Sequence, residues 1–389
     1  MFAIFRNQKF RTAGLQFCFV GILVAIIVSA VLTGSSNLEK QGITSGFGFL
    51  DRSTGFDVGY SLLEFTPFDS YGRLISVGLI NTIFLGIIGI ALANFIGLLI
   101  AVFRLSENAM MNSFGIIYIE IFRNIPLILQ VFFWYSVLTH LPRTRNAYSI
   151  FDSVYLSARG VFIPGLNVSL GAASISICIL MLGLGFTFWI AWSRRFKKIS
   201  DRKRRSLAWG ALLTSLGVGI VLFIYGRIPE TPLVSFPELK GLNFRGGIEI
   251  PPEFTALALC MGIYGGAFIS EILRAGFLSV GRGQAEAARS LGLNPWHVFT
   301  RVRLPLAIRA ILPTLINQYI WLFKATTLGI AVGFTDFFSV VSVSINQSGQ
   351  TLELIAILMG GFLVMNNTIS VVLNRFNKSI ALRGSQIRS

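Results

Sequence analysis

Long apolar segments without charged residues alternate with short polar or basic segments along the chain of 389 residues. Since about 20 apolar residues suffice to cross a bilayer as a helix, the pattern predicts an all-α, polytopic membrane protein with about eight transmembrane helices. The predicted spans are residues 13–33, 74–103, 113–138, 169–192, 206–226, 254–274, 310–335 and 353–374. The first has the basic start of a signal peptide, but its apolar stretch is too long for a typical signal core, so we expect a retained anchor.

The composition agrees with a membrane protein. Hydrophobic residues make up 53% of the chain, the mean hydropathy is +0.71, and 13% of the residues are charged, whereas soluble domains have roughly a quarter. The net charge of +16 has two explanations, binding to nucleic acid or control of membrane topology. The basic residues cluster in the short segments between apolar blocks, which favours topology and makes the lipid bilayer, not nucleic acid, the expected partner.

The distribution of lysine and arginine predicts the orientation. Of the 33 basic residues, 22 fall on one side of the predicted membrane, in the N-terminus, the turn at Arg104, the segments 194–205 and 274–309, and the tail. Nine fall on the other side, three in each of the segments 34–73, 139–168 and 227–253. The richer side is expected to be cytoplasmic, which places both termini in the cytoplasm.

The sequence argues against an enzyme. It has no glycine-rich phosphate loop of the GxxxxGK[ST] type, so we expect that the chain does not hydrolyse ATP itself. With only His140 and His297 it lacks the histidine clusters typical of membrane metalloenzymes. The cysteines Cys18, Cys178 and Cys260 are far apart within apolar blocks and are expected to serve as packing residues.

One polar segment, residues 286–305, has the features of a helix–turn–helix lying on the cytoplasmic face. Glu286 to Arg289 predict one helix, and Gly292 is a helix stop. Asn294 and Pro295 are typical of the cap and first turn of a second short helix, expected to end at Leu304-Pro305. Between two predicted spans, such an element is suited to contact a partner and transmit its motion, although an ordinary interfacial amphipathic helix has the same outline.

This segment resembles the EAA loop of ABC importer permeases, whose pattern is Glu-Ala-Ala, three residues, Gly, nine residues and Ile-x-Leu-Pro. Val302 takes the Ile position. The matching residues are Glu286, Ala287, Ala288, Gly292, Leu304 and Pro305. The resemblance implies that these residues form a coupling helix that inserts into a cleft on the ATPase subunit.

Two further stretches resemble the permeases of the polar amino acid group. Residues 118–130 resemble the EFFRGTPLLVQ segment, with Asn124-Ile125 in place of Gly-Thr. Residues 317–328 resemble NQ…LLKDTSL, with Ala325 where the group usually has a polar residue, so a role tied to that side chain is not expected here. The extra first span and the residues inserted between the third and sixth spans resemble the larger permeases for general L-amino acids and for glutamate, glutamine, aspartate and asparagine.

The resemblance implies a five-helix permease core with an added N-terminal helix and an inserted helix pair. The corresponding domains are 1–73, the N-terminal helix with a periplasmic segment; 74–138, the first segment of the core; 139–253, the insertion; and 254–389, the second segment of the core with the coupling loop. The implied partners are ABC ATPase subunits carrying ATP and Mg²⁺, a second related permease, a periplasmic amino-acid-binding protein and the amino acid substrate. No cofactor is expected in this chain.

Polar and charged residues within the predicted spans are candidates for the substrate pathway, because they are costly in hydrocarbon unless paired or functional. Glu120 and Arg123, spaced i, i+3, predict either an ion pair or a gate. Lys324 predicts either a contact with the substrate carboxylate or an ion pair with another helix. Hydrogen bonding to substrate or between helices is expected for the remaining polar residues, which are Asn81, Asn94, Gln130, Asn317 and Gln318.

Three other functions are compatible with parts of this pattern. A secondary amino acid transporter or channel would need no ATPase and would leave the EAA pattern unexplained. A membrane-embedded enzyme would need a catalytic cluster that the sequence lacks. A structural partner permease without its own substrate site would keep the coupling loop, since two permeases can share one site unequally.

Overall fold

A computed structural model describes residues 8–40, 46–192 and 200–380. Helices dominate these described residues, as the sequence predicts. Their bounds are α1 Gln8–Lys40, α2 Tyr71–Leu105, α3 Ala109–Asn124, α4 Leu127–Thr139, α5 Leu170–Trp192, α6 Asp201–Tyr225, α7 Pro252–Ser279, α8 Arg282–Ser290, α9 Pro295–Val298, α10 Leu304–Ala325, α11 Phe337–Ser348 and α12 Thr351–Ile380.

Six of the described helical stretches are long and apolar enough to cross a membrane, and α3 with α4 makes a seventh if the bent pair is one span. The six are Gly14–Gly34, Tyr71–Leu105, Arg202–Tyr225, Pro252–Ser279, Pro295–Val332 and Thr351–Arg375. The fourth predicted span, residues 169–192, corresponds to α5, whose apolar stretch Gly171–Thr187 is shorter. The number eight therefore stays a prediction.

The third predicted span is not one continuous helix. The chain turns by 102° between α3 and α4. The break falls at Pro126, which lacks a backbone N–H and disfavours the helical conformation of the residue before it. Ile125 is accordingly extended, with φ −86° and ψ 126°.

The chain forms two compact units, one made of residues 1–136 and 253–389 and the other of residues 137–252. In the first unit, α2 packs closely against α7, α10 and α11. A methyl group added at Gly86 would lie 2.5 Å from the ring of Phe323 on α10, and one added at Gly97 would lie 2.8 Å from Ile269 on α7. Small residues at such contacts are typical of membrane helices that approach closely.

Buried polar residues of α2 fix the start of α11, an element that the sequence analysis did not predict. Asn81 donates to the carbonyl oxygen of Thr335 at 2.8 Å. The hydroxyl of Thr82 accepts from the backbone N–H of Phe337 at 2.9 Å. Asp336 caps α11 by accepting from the N–H of Ser339. Because all these groups are buried, the hydrogen bonds replace those that water would make.

The second unit combines the antiparallel hairpin of α5 and α6 with short strands, which were not predicted either. The strands are β1 Tyr148–Ile150, β2 Val154–Ser157, β3 Gly160–Ile163, β4 Gly165–Leu166, β5 Val234–Ser235, β6 Glu238–Lys240, β7 Asn243–Arg245 and β8 Ile248–Ile250. They form one sheet in the order β1-β2-β3-β8 and the pairs β4-β5 and β6-β7, all antiparallel. Two to four residues each, these strands are too short to produce a clear alternation of polar and apolar positions.

Candidate functional site

The helix–turn–helix predicted at residues 286–305 is formed by α8, a tight turn and α9. After α8 the chain reverses at Gly292, whose φ of +78° favours glycine. The N–H groups of Gly292 and Leu293 donate to the carbonyls of Arg289 and Ala288, which closes the C-terminus of α8. Asn294 caps α9 by accepting from the N–H of His297 at 2.9 Å, and Pro295 lies in its first turn. The cap and stop residues predicted from the sequence have these roles.

The two short helices present one buried face and one exposed face. Ala288 and Val298 are buried, with exposed fractions of 5% and 3%. Glu286, Ala287 and Gly292 lie outside this buried face, and Gly292 is exposed. Two large apolar side chains that the sequence analysis did not single out, Leu291 and Trp296, lie on the same corner with 82% and 68% of their surface exposed. Exposed apolar residues within a polar segment are suited to contact another protein. The sequence shows that both residues are apolar and lie in a polar segment, but not that they are exposed.

The second helix of this element does not end at Leu304-Pro305 as expected. It continues through a π-helical turn, Phe299–Arg303, into α10. The missing N–H of Pro305 and the bulk of its ring are tolerated because the helix is widened just before it. Leu304 and Pro305 therefore begin the long helix α10, and the corner is joined to that helix without a loop.

Aromatic stacking ties the same corner to α7. The rings of Trp296 and Phe299 are 6.1 Å apart, and that of Phe299 lies 5.9 Å from Phe277 of α7 at an interplanar angle of 10°. The element is thus in contact with α7 and continuous with α10, the two helices that flank it.

Apart from Glu120 and Arg123, the polar residues proposed for the substrate pathway fall into two groups. In the first, the side chains bond to other segments of the protein. Gln130 is buried and donates to the carbonyls of Phe122 and Ile125 at 2.9 and 3.0 Å. Asn94 accepts from the hydroxyl of Tyr319 at 2.6 Å, and Asn81 holds the start of α11. Within the described residues these three side chains connect elements of the fold.

The predicted Glu120–Arg123 ion pair is not formed. Glu120 accepts from the amide of Asn124 at 3.1 Å. The guanidinium of Arg123 lies 4.9 Å from the ring centre of Phe268 on α7, close enough for a cation–π interaction. An aromatic cluster of Phe268, Tyr264 and Trp321 adjoins it, with Tyr264 and Trp321 stacked at 5.4 Å.

The second group makes no hydrogen bond or ion pair through its side chains among the residues that the structure describes. It consists of Asn317, Gln318 and Lys324, all on α10. Asn317 and Lys324 are exposed, and Gln318 is half-buried. Lys324 lies at the C-terminal end of α10. These side chains are free to contact a ligand or another subunit.

Comparison with known proteins gives close relatives over nearly the whole chain. YhdX of Escherichia coli K12, whose name describes an amino-acid ABC transporter permease protein, is 37% identical over 97% of this chain and 96% of its own length. The general L-amino acid transport system permease protein AapQ of Rhizobium johnstonii is 34% identical over 97% and 94%. The permease protein BztB of the Rhodobacter capsulatus glutamate/glutamine/aspartate/asparagine transport system is 31% identical over 97% and 95%. The family model for binding-protein-dependent transport system inner membrane components matches residues 212–381.

Proposed function

The chain belongs to the family of amino-acid ABC transporter permeases, and on this premise we propose that it moves polar or general L-amino acids into the cytoplasm by alternating access, driven by separate ATPase subunits. The names of its relatives suggest this substrate class. As a permease subunit it is a transport component, and ATP with Mg²⁺ would be held by the ATPase partners.

The observation that carries the proposal is the corner formed by α8 and α9. Its outward-facing residues Glu286, Ala287, Leu291, Gly292 and Trp296 make a compact surface suited to a cleft on the ATPase. The continuous helix into α10 and the ring stack onto α7 support a rigid connection from that surface to the membrane core. Motion of the ATPase would therefore tilt both helices together, as alternating access requires.

The proposed orientation places this corner and both termini in the cytoplasm and the strands of the second unit in the periplasm. The uneven distribution of lysine and arginine supports it. The hairpin of α5 and α6 supports α5 as a span, which would bring the total to eight. The N–H of Ser169 donates to the carbonyl of Gly226 at 2.8 Å, and β4 pairs with β5, so the chain enters α5 and leaves α6 at the same end. If α6 crosses the membrane, α5 must cross back beside it.

The substrate pathway is proposed to run along α10. Asn317, Gln318 and Lys324 have hydrogen-bonding groups not used within the described residues, and Lys324 would attract the substrate carboxylate. Glu120 and Arg123, near the aromatic cluster, are proposed as a gate. Gln130 is proposed to act only indirectly, by holding the bend between α3 and α4.

The assembly is proposed to contain a second, related permease, two ATPase subunits and a periplasmic amino-acid-binding protein in the inner membrane. One chain supplies only one coupling corner, whereas a pair of ATPases needs two. The division of the chain into the core segments 74–138 and 254–389, the N-terminal segment of residues 1–73 and the insertion 139–253 belongs to this proposal.

The test is ATP-dependent amino acid uptake by proteoliposomes that contain this chain with its partner permease, ATPase and binding protein. We expect Gly292→Val to abolish uptake, since a β-branched residue does not accept a φ of +78°. The matched control is Gly281→Val, at the N-cap of α8, where φ is −55° and an added methyl group meets no atom within 4 Å. Normal uptake by the Gly292 variant, or uptake by the wild type without any ATPase, would overturn the coupling role.

A further inference from the structure

A basic pocket lies within the second unit, outside the transmembrane helices. Its volume is about 570 Å³, and its lining comes from three separate turns. The lining residues are Arg143, Thr144, Arg145, Asn146, Ala158, Arg159 and Leu242. We call this surface the arginine pocket.

The pocket brings together every lysine and arginine of residues 139–168. Arg143, Arg145 and Arg159 are the only lysine or arginine residues between positions 139 and 168. Charge-based topology does not explain this concentration, because it requires few basic residues on the side proposed here as periplasmic. None of the three forms an ion pair within the described residues.

The charge of Arg159 acts on one acidic residue, Glu249. Burial raises the pKa of Glu249 on β8, and the positive charge of Arg159 acts in the opposite direction. Glu249 does not line the pocket. The lining therefore contains three arginines and no acidic residue, and a guanidinium fork is suited to bind carboxylates.

An exposed apolar residue in the lining of the pocket favours a protein as the occupant over a free small ion. Leu242, at the tip of the β6–β7 hairpin, is 71% exposed and lines the pocket. Arginine is likewise enriched at protein interfaces.

We propose that the arginine pocket binds acidic side chains on the surface of the periplasmic binding protein and guides it onto the permease. This rests on the proposed function, which supplies the binding protein and the periplasmic side. The partner is defined by its chemistry, a folded protein that presents carboxylates opposite the three arginines. Complementary charge of this kind raises the rate of encounter more than it strengthens the final complex.

The experiment measures uptake by the complete reconstituted transporter as the concentration of amino-acid-loaded binding protein is varied. The variant is Arg143→Gln/Arg145→Gln/Arg159→Gln. At about 50 mM salt we expect its KM for the binding protein to rise about tenfold, with the maximal rate unchanged. At about 500 mM salt the wild type and the variant should converge, because the charges are screened.

Two controls keep the test specific. Arg245→Gln removes the same charge from an exposed residue of the same unit that does not line the pocket, and it should leave the KM unchanged. Replacement of the three arginines by lysine keeps the charge and should restore most of the affinity, which separates loss of charge from loss of folding.

The outcomes separate this proposal from the one on which it rests. If the wild type shows no ATP-driven uptake, the proposed function fails. If wild-type uptake is normal and the triple variant has an unchanged KM, the arginine pocket does not bind the binding protein. Arginine-dependent binding of free glutamate, or of vesicles rich in anionic lipid, with an unchanged KM would likewise overturn the proposal and identify a different ligand.

Discussion

At the scale of single residues, Glu271 on α7 joins three helices. Its carboxylate accepts from Arg274 on the same helix at 2.9 Å and from Arg104, at the end of α2, at 3.4 Å. Arg104 also donates to Asn112 on α3 at 2.6 Å. The three charged side chains are partly shielded, with exposed fractions of 24%, 30% and 16% for Glu271, Arg274 and Arg104. One carboxylate thus offsets the repulsion between two arginines.

Glu271→Gln is therefore expected to destabilise the fold by about 1–3 kcal/mol, because it leaves two partly buried arginines without a counter-charge. A lower midpoint of thermal unfolding in detergent checks this. Glu120→Gln is the control, since Glu120 is exposed and, among the described residues, accepts only from Asn124 of its own helix. Its midpoint should not change. Equal midpoints for both variants would show that the Glu271 network contributes nothing measurable to stability.

This network also shows what could be predicted from residue spacing. Glu271 and Arg274 have the i, i+3 spacing of neighbours on a helix, and they are in contact. Arg104 is 167 positions away, and only the packing of α2 on α7 brings it close. The same spacing was misleading for Glu120 and Arg123, because the ring of Phe268 on another helix offers Arg123 an alternative partner. Local spacing fixes which pairs can meet, and tertiary packing decides which do.

At the scale of elements, the bend between α3 and α4 depends on Gln130. A helix broken at Pro126 leaves carbonyl groups without their usual helical donors, and the buried amide of Gln130 satisfies those of Phe122 and Ile125. Gln130→Leu is expected to destabilise the protein by about 2 kcal/mol, since two acceptors lose their donor in an apolar surrounding. Thermal unfolding in detergent measures this. Gln318→Leu makes the same change where no side-chain hydrogen bond is found in the described chain, and its stability should match the wild type.

Long apolar runs predict the helices well, because length and hydropathy are properties of a local segment. The finer features depend on distant groups. The bend needs Gln130 and Pro126 together, the π-helical turn accommodates Pro305, and α11 is held by Asn81 and Thr82, more than 250 positions away. In the coupling corner the determinants are local, with Gly292 in the turn and Asn294 as the cap, and there the sequence predicted the positions of the turn and cap correctly. It missed the apolar corner residues Leu291 and Trp296, whose role depends on their exposure.

At the scale of the whole molecule, the first unit has a structural reason to fold without residues 137–252. The hydroxyl of Tyr135, near the end of α4, donates to the carboxylate of Glu253, in the first turn of α7, at 3.3 Å. The two helix ends from which the second unit departs are therefore neighbours within the first unit. About six glycine and serine residues span roughly 13 Å, enough to join them.

Replacing residues 140–251 by such a linker is expected to leave a membrane protein that still assembles with its ATPase, because the coupling corner and its connections to α7 and α10 belong to the retained unit. Co-purification with the ATPase and a cooperative thermal transition check this. The matched control removes residues 333–349 instead, which deletes α11 and exposes the buried Asn81 and Thr82, and that variant should fail to fold. If the shortened chain aggregates as the α11 deletion does, residues 139–253 are an integral component of the core and not an insertion. If the shortened chain folds and its KM for the binding protein rises as it does in the arginine variant, the second unit binds the protein that delivers the substrate. The first unit then contains the contacts that couple transport to the ATPase.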